Sequence, residues 1–139
     1  MKERTLETVF DRTRTVLTAL GGYLGAFAGG TDGMLIALIA FMALDYVTGV
    51  MCAAADRSLS SQIGFRGICR KVLIWLLVGA ANLVDVHVAG TGSALRSAVI
   101  CFYLSNEGLS LLENAARLGL PIPERLKEAL AQLRGKEEK

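Results

Sequence analysis

Charge is nearly absent from two long stretches of this chain, and that absence constrains the fold more than any single motif does. Between Arg14 and Arg57 the only charged residues are Asp32, Asp45 and Asp56; between Lys71 and Arg117 they are Asp85, Arg96, Glu107 and Glu113. A content of 53% hydrophobic and 20% charged residues over 139 positions would also suit one soluble, core-rich domain. The distribution argues against that. Such runs suit lipid better than water, and they predict an all-α integral membrane protein forming a single domain over residues 1–139.

Turn signals divide the stretches into four spans, at about 16–30, 34–55, 72–88 and 93–114. Thr31-Asp32-Gly33 and the run 89–92, Ala-Gly-Thr-Gly, are short turns. Residues 56–71 form a polar connection, with Gly64 and Gly67 marking a flexible loop that leads into a helix start. The prelude 1–14 places Leu6, Val9 and Phe10 on one helical face, which suits either an interfacial helix or a frayed terminus. Gly119, Pro121 and Pro123 close the last span. In the tail 115–139, Leu126, Leu130 and Leu133 predict a short amphipathic helix.

The distribution of bases orients these spans. The prelude holds four of the 15, the 56–71 connection four and residues 115–139 six, leaving only Arg96. Four spans place those three segments on one side, and the positive-inside rule makes it the cytoplasm for both termini. A small-x-small sequence, Ala26-Phe27-Ala28, would also suit signal-peptide cleavage, but Glu3, Glu7 and Asp11 weaken that reading.

Polar residues inside the spans are the candidate functional groups. A central Asp costs about 3 kcal/mol on the insertion scale and each strong apolar residue returns about 0.3 to 0.6. The second span therefore balances near zero around Asp45, and the fourth needs neighbours. Asp45, Thr48, Gly49 and Cys52 share one face of the second span. Asn82 and Asp85 share one of the third. Asn106, Ser110, Glu113, Asn114 and Arg117 form a polar stripe along the fourth, with Glu107 beside it. Asp45, Thr48, Asn82, Asp85, Asn106, Glu107, Ser110, Glu113 and Asn114 are thus candidates to line a pore or to be buried as polar groups. By depth, Arg96 is a partner for Asp85, and Arg70 and Lys71 are partners for Glu113. Asp45 and Glu107 have no base at their level, so they must be protonated, share a proton or face water. Gly21, Gly25 and Gly29, with Gly22, Ala26 and Gly30 beside them, make small-residue ridges for helix packing, as does Gly49.

Other chemistries lack their residues. A net charge of +2, without a basic stripe carrying stacking aromatics, leaves nucleic acid without a footprint. Cys52, Cys69 and Cys101 lack metal-ligand spacing and are expected to be buried free thiols, and His87 is the sole histidine. No phosphate loop or nucleophile elbow appears, so no enzyme and no cofactor is expected.

Three blocks carry a resemblance: Asp45-Tyr46-Val47-Thr48-Gly49; Ser61-x-x-Gly64-x-x-Gly67-x-x-Arg70-Lys71; and Phe102-Tyr103-x-x-Asn106-Glu107-Gly108-x-Ser110-x-x-Glu113-Asn114 with Gly119-x-Pro121-x-Pro123. In this order they resemble bacteriophage holins of the family that also contains clostridial toxin-secretion holins. The resemblance covers residues 40–126. It implies a multi-pass protein of the bacterial inner (cytoplasmic) membrane, whose partners are the lipid bilayer and further copies of itself. Such a homo-oligomer would form lesions that release or activate an endolysin for host cell lysis, or export a toxin. A small ion channel or transporter subunit, and a non-conducting membrane scaffold, are the alternatives.

Overall fold

A computed structural model describes residues 2–90, 92–126 and 128, with side chains from residue 6 onward. Four long helices account for most of them: α1 (Lys2–Phe27), α2 (Gly33–Ala55), α3 (Ser61–Val84) and α4 (Ala94–Arg117). The contacts set α2 and α4 parallel, with Arg96 near Asp32 and Asn114 near Thr48, and α3 antiparallel to both. Two helical stretches, Gly33–Ala55 and Ser61–Ala89, are long and apolar enough to cross a membrane.

Local chemistry explains the boundaries. Asp32 caps α2 by accepting the Leu35 N–H at 2.9 Å, and Ser60 caps α3 by accepting that of Ile63 at 3.2 Å. The α1–α2 turn reverses through Gly29, with φ +86° and Gly30 donating back to the Gly25 carbonyl at 2.8 Å. A side chain there would also meet Asn82 Oδ1 at 2.4 Å, so the position excludes a Cβ twice over. At the end of α2 the same kind of turn uses Arg57, at φ 52°. A π-helical turn, Asp85–Ala89, continues α3. Its Asp85 carboxylate accepts the Leu95 and Arg96 N–H groups at 3.1 and 2.7 Å and so caps α4 from outside that helix.

The buried apolar core is small and lies toward the α1–α2 and α3–α4 turns. It joins Ala28, Leu35, Leu38, Met42, Ile74, Val78 and Ile100, with Trp75, Val99, Tyr103 and Leu104 against it. Outside it the usual distribution is inverted. Phe10, Tyr23 and Phe65 are at least two-thirds exposed, and long aliphatic side chains cover the outer faces of α2 and α3, while Arg96 and Glu107 are 2% exposed. A water-soluble monomer rarely carries apolar surface of that extent.

Several sequence expectations change. The first helix does not begin at 16: the charged prelude is its N-terminal half, and it stops at Phe27. The glycine ridge therefore ends at Gly25, and among the described residues no other helix comes within 4 Å of where a Cβ on Gly21 or Gly22 would lie. What secures α1 is Phe27, whose ring lies where a Cβ on Gly79 of α3 would be. The third helix starts eleven residues earlier than 72, because Ser60 caps it there, and Gly64 and Gly67 are helical rather than loop. The connection shrinks to residues 56–60. Of the three thiols, Cys52 is buried, whereas Cys69 and Cys101 are exposed on the outer faces. Glu124–Leu126 is helical, and Leu130 and Leu133 lie outside the described residues.

Candidate functional site: a charged network inside the bundle

The early start of α3 carries Lys71 into the middle of the bundle, where it meets a carboxylate from each flanking helix. Its Nζ donates to Asp45 Oδ2 of α2 at 2.5 Å and also to Glu107 Oε2 of α4. Side-chain exposure is 16% for Lys71, 15% for Asp45 and 3% for Glu107. One ammonium thus holds three helices together. With both carboxylates ionised the trio carries a net negative charge, and the partly open edge at Asp45 and Lys71 faces a cleft.

Asn114 extends the network. Its Nδ2 donates to Asp45 Oδ1 at 3.2 Å and to Thr48 Oγ1 at 3.1 Å, while its backbone carbonyl accepts from the Cys52 thiol at 3.3 Å. The Asp45-Thr48-Gly49-Cys52 face of α2 is therefore turned onto α4. Gly49 lies at this contact, where a Cβ would reach Asn114 Nδ2 at 3.8 Å, an ordinary packing distance.

A second cluster closes the end bearing the short turns. Arg96 Nε donates to the Ala28 carbonyl at 2.5 Å, Nη2 to Gly30 O at 3.0 Å, and Nη1 pairs with Asp32 Oδ2 at 2.6 Å. The guanidinium hydrogen bond, with the Leu35 N–H second, holds the Asp32 carboxyl below its usual range. Asn82 donates to the Phe27 carbonyl at 3.2 Å and so satisfies the end of α1. At the opposite end Arg117 pairs with Asp56 at 2.5 Å, with both side chains more than half exposed. That pair contributes little.

Between the N-terminal half of α3 and the C-terminal half of α2 lies a cleft of about 890 Å³, with Asp45 and Lys71 at its inner end and Ser58, Ser60 and Ser61 at its outer end. The Tyr46 ring lies over Gly67, 3.3 Å from where a Cβ would be, and its hydroxyl lies 3.4 Å from the corresponding point on Gly64. The first two sequence blocks thus fit together as ring and seat.

The third block, on α4, meets them through Glu107 and Asn114. Residues 22–135, which contain all three blocks, match the model of the bacteriophage holin family. The chain belongs to that family. It is 39% identical over 131 residues to an uncharacterised 14.9 kDa protein from the nagH 3′ region of Clostridium perfringens, covering 94% of this chain and 99% of that one. It is 36% identical over 138 residues to an uncharacterised protein of Halalkalibacterium halodurans, covering 96% and 100%. It is 35% identical over 98 residues to a probable holin of Bacillus phage phi105, covering 70% and 72%. No solved structure matches it.

Within this holin-family chain, the polar residues singled out by sequence fall into separate groups. Asp45, Thr48, Glu107 and Asn114 meet at the central network, and Ser110 lines the cleft beside it. Asn82 and Asp85 belong to the end cluster. Asn106 is half-buried on α4, and Glu113 is exposed there. Three expected relationships differ. Asp45 and Glu107 do have a base at their depth, Lys71, which longer α3 brings inward from the supposed connection. Lys71 consequently pairs with them rather than with Glu113, while Arg70 stays exposed and lines the cleft. Asp85 meets Arg96 through its backbone N–H, and the guanidinium goes to Asp32.

Asp32, Tyr46, Gly64 and Gly67, which the sequence placed in a turn, in a motif and in a flexible loop, are structural participants here. Asp32 had a usable signal, an acid directly before Gly33 and an apolar run. Among the described residues no group of three His, Cys, Asp or Glu side chains is placed to hold a metal ion.

Proposed function

We propose that this chain acts as a holin, spanning the bacterial cytoplasmic membrane with four helices and keeping both termini in the cytoplasm. Copies gather there into lesions that release or activate an endolysin, or let a toxin out. The observation that carries this reading is the inversion of the bundle, with apolar side chains outward and Arg96, Lys71, Glu107 and Asp45 inward in ion pairs. Pairing removes the main objection to α4 as a span. Its Arg96 and Glu107 are costly in lipid only when they lack partners.

A single copy cannot enclose a protein-sized hole, so the lesion is a ring or patch of many. Its wetted wall would come from the polar faces of α2 and α4. Exposing them requires Lys71 to release Asp45 and Glu107 as α3 moves away, and α2 and α4 to part where Asn114 meets Asp45 and Thr48. The cleft already separates α3 from the C-terminal half of α2, which supports α3 as the moving element. Exposed Gly21 and Gly22 on α1 are available for packing between copies.

An inducible copy of the gene in a cell containing a cytoplasmic reporter enzyme tests the reading. Abrupt release of the folded reporter is expected from the wild type, and little release from Asp45→Leu or Glu107→Leu that reach the membrane normally. Ion leakage without reporter release would instead make the chain a small channel. Neither leakage nor release would make it a scaffold.

A further inference from the structure

The cleft between α2 and α3 is not used by the network beyond its inner end, and its shape and charge suit a specific occupant. We propose that it binds one anionic phospholipid, with the acyl chains along its apolar walls and the phosphate on Arg70 and Arg117. This rests on the membrane placement proposed above, which puts the 56–60 connection and the first turns of α3 at the cytoplasmic leaflet.

Three observations select this occupant. The walls are chiefly apolar, formed by Tyr46, Val50, Leu59, Ile63 and Ile68, while Arg70 and Arg117 also line the cleft. Arg117 engages Asp56 through an exposed ion pair, and an anion can share its remaining donors. Arg57 and Arg66 add positive charge in the same region, where Asp56 is the one acid between residues 56 and 71. The second observation is volume. About 890 Å³ lies within the usual range for small-ligand clefts, roughly 300–1,000 Å³. A partner helix 10–12 Å across fills on the order of 500 Å³ per turn, so the cleft would hold only about two turns of one. Flexible acyl chains fit where a spanning helix does not. The third is position. Long Arg side chains along an apolar wall can lift their charged ends to headgroup level.

Native mass spectrometry of the full chain in detergent tests the proposal, using phosphatidylglycerol and phosphatidylcholine with identical acyl chains as probes. The wild type should retain one phosphatidylglycerol in preference to phosphatidylcholine. Arg70→Gln should lower that preference about fivefold, the effect of one basic residue near an anionic headgroup. Val50→Phe, which fills the cleft without altering charge, should lower retention of both lipids, and Arg12→Gln on exposed α1 should change nothing.

Equal retention of the two lipids by wild type overturns the proposal. So does an equal loss in Arg12→Gln and Arg70→Gln, which would mean attraction to overall charge. Variants that change the fraction of dimer and not lipid retention would assign the cleft to a second copy, again overturning it. Reporter release, measured separately on the wild type, judges the holin reading. Lipid selectivity without release would leave this site standing and remove only the lesion.

Discussion

Replacing Lys71 with methionine keeps much of the side chain's length and removes the ammonium that bridges Asp45 and Glu107. Two carboxylates would then face each other, with only 15% and 3% of their side-chain surface exposed. Removing one partner of a buried ion pair costs about 3–5 kcal/mol, because the remaining charge stays desolvated. Access at the cleft edge argues for the lower end, about 3 kcal/mol. That is a large share of the roughly 5–15 kcal/mol that typically holds a domain folded. Neutralising the acids as well, in Asp45→Asn/Lys71→Met/Glu107→Gln, should recover about 2 kcal/mol of it, since no buried charge is left alone. Denaturant titration in mixed micelles, performed as a mutant cycle, measures each step. A Lys71→Met variant within about 0.5 kcal/mol of wild type, or a triple variant no better than the single, would refute the bridging role.

Three further outcomes check other parts of the bundle. Gly79→Ala places a Cβ 1.8 Å from Phe27 Cε1, so it should cost about 1–3 kcal/mol in the same titration, largely restored by adding Phe27→Leu. The lowered Asp32 carboxyl contributes stability that is fully present above its unfolded value, near 3.9, and is lost as pH falls through the folded value. Unfolding of wild type should therefore ease below about pH 4, and Asp32→Asn should lose that part of the dependence without matching wild-type stability at neutral pH. A membrane-permeant maleimide added to the protein in detergent should label Cys69 and Cys101, on the detergent-facing surface, faster than Cys52, which should be labelled fully only on unfolding, as read by mass spectrometry of peptides.

What could be read from sequence was whatever depends on neighbours along the chain. Gly33–Ala55 was legible to within one residue because a single acid interrupts an otherwise apolar run that follows a turn. The stripe through Asn106, Ser110 and Asn114 was legible as a helix face by spacing alone. The start of α3 was not. Arg66, Arg70 and Lys71 look like a connection when each charge is counted by itself against hydropathy. The acids that make Lys71 tolerable at depth lie 26 and 36 residues away in the chain. No local window contains both sides of that balance. The same reasoning separates Asp85 from Arg96: adjacent turns suggested their pairing, but the π-helical turn aims Asp85 at the α4 backbone and leaves the guanidinium to Asp32 and two carbonyls. Gly29 likewise looked like the next step of a packing ridge, whereas the Gly25–Gly30 reversal places it in a turn against Asn82.

The claim that underlies the rest is that charge is gathered inside this bundle while it sits in lipid. Solid-state NMR on the full chain reconstituted in bilayers can test it, by dipolar recoupling between a ¹⁵N-labelled Lys71 Nζ and the ¹³C carboxylates. Contact-range couplings to both Asp45 and Glu107 are predicted, each disappearing with the corresponding Asn or Gln substitution. A Lys71 that couples to neither carboxylate in the bilayer would contradict the account.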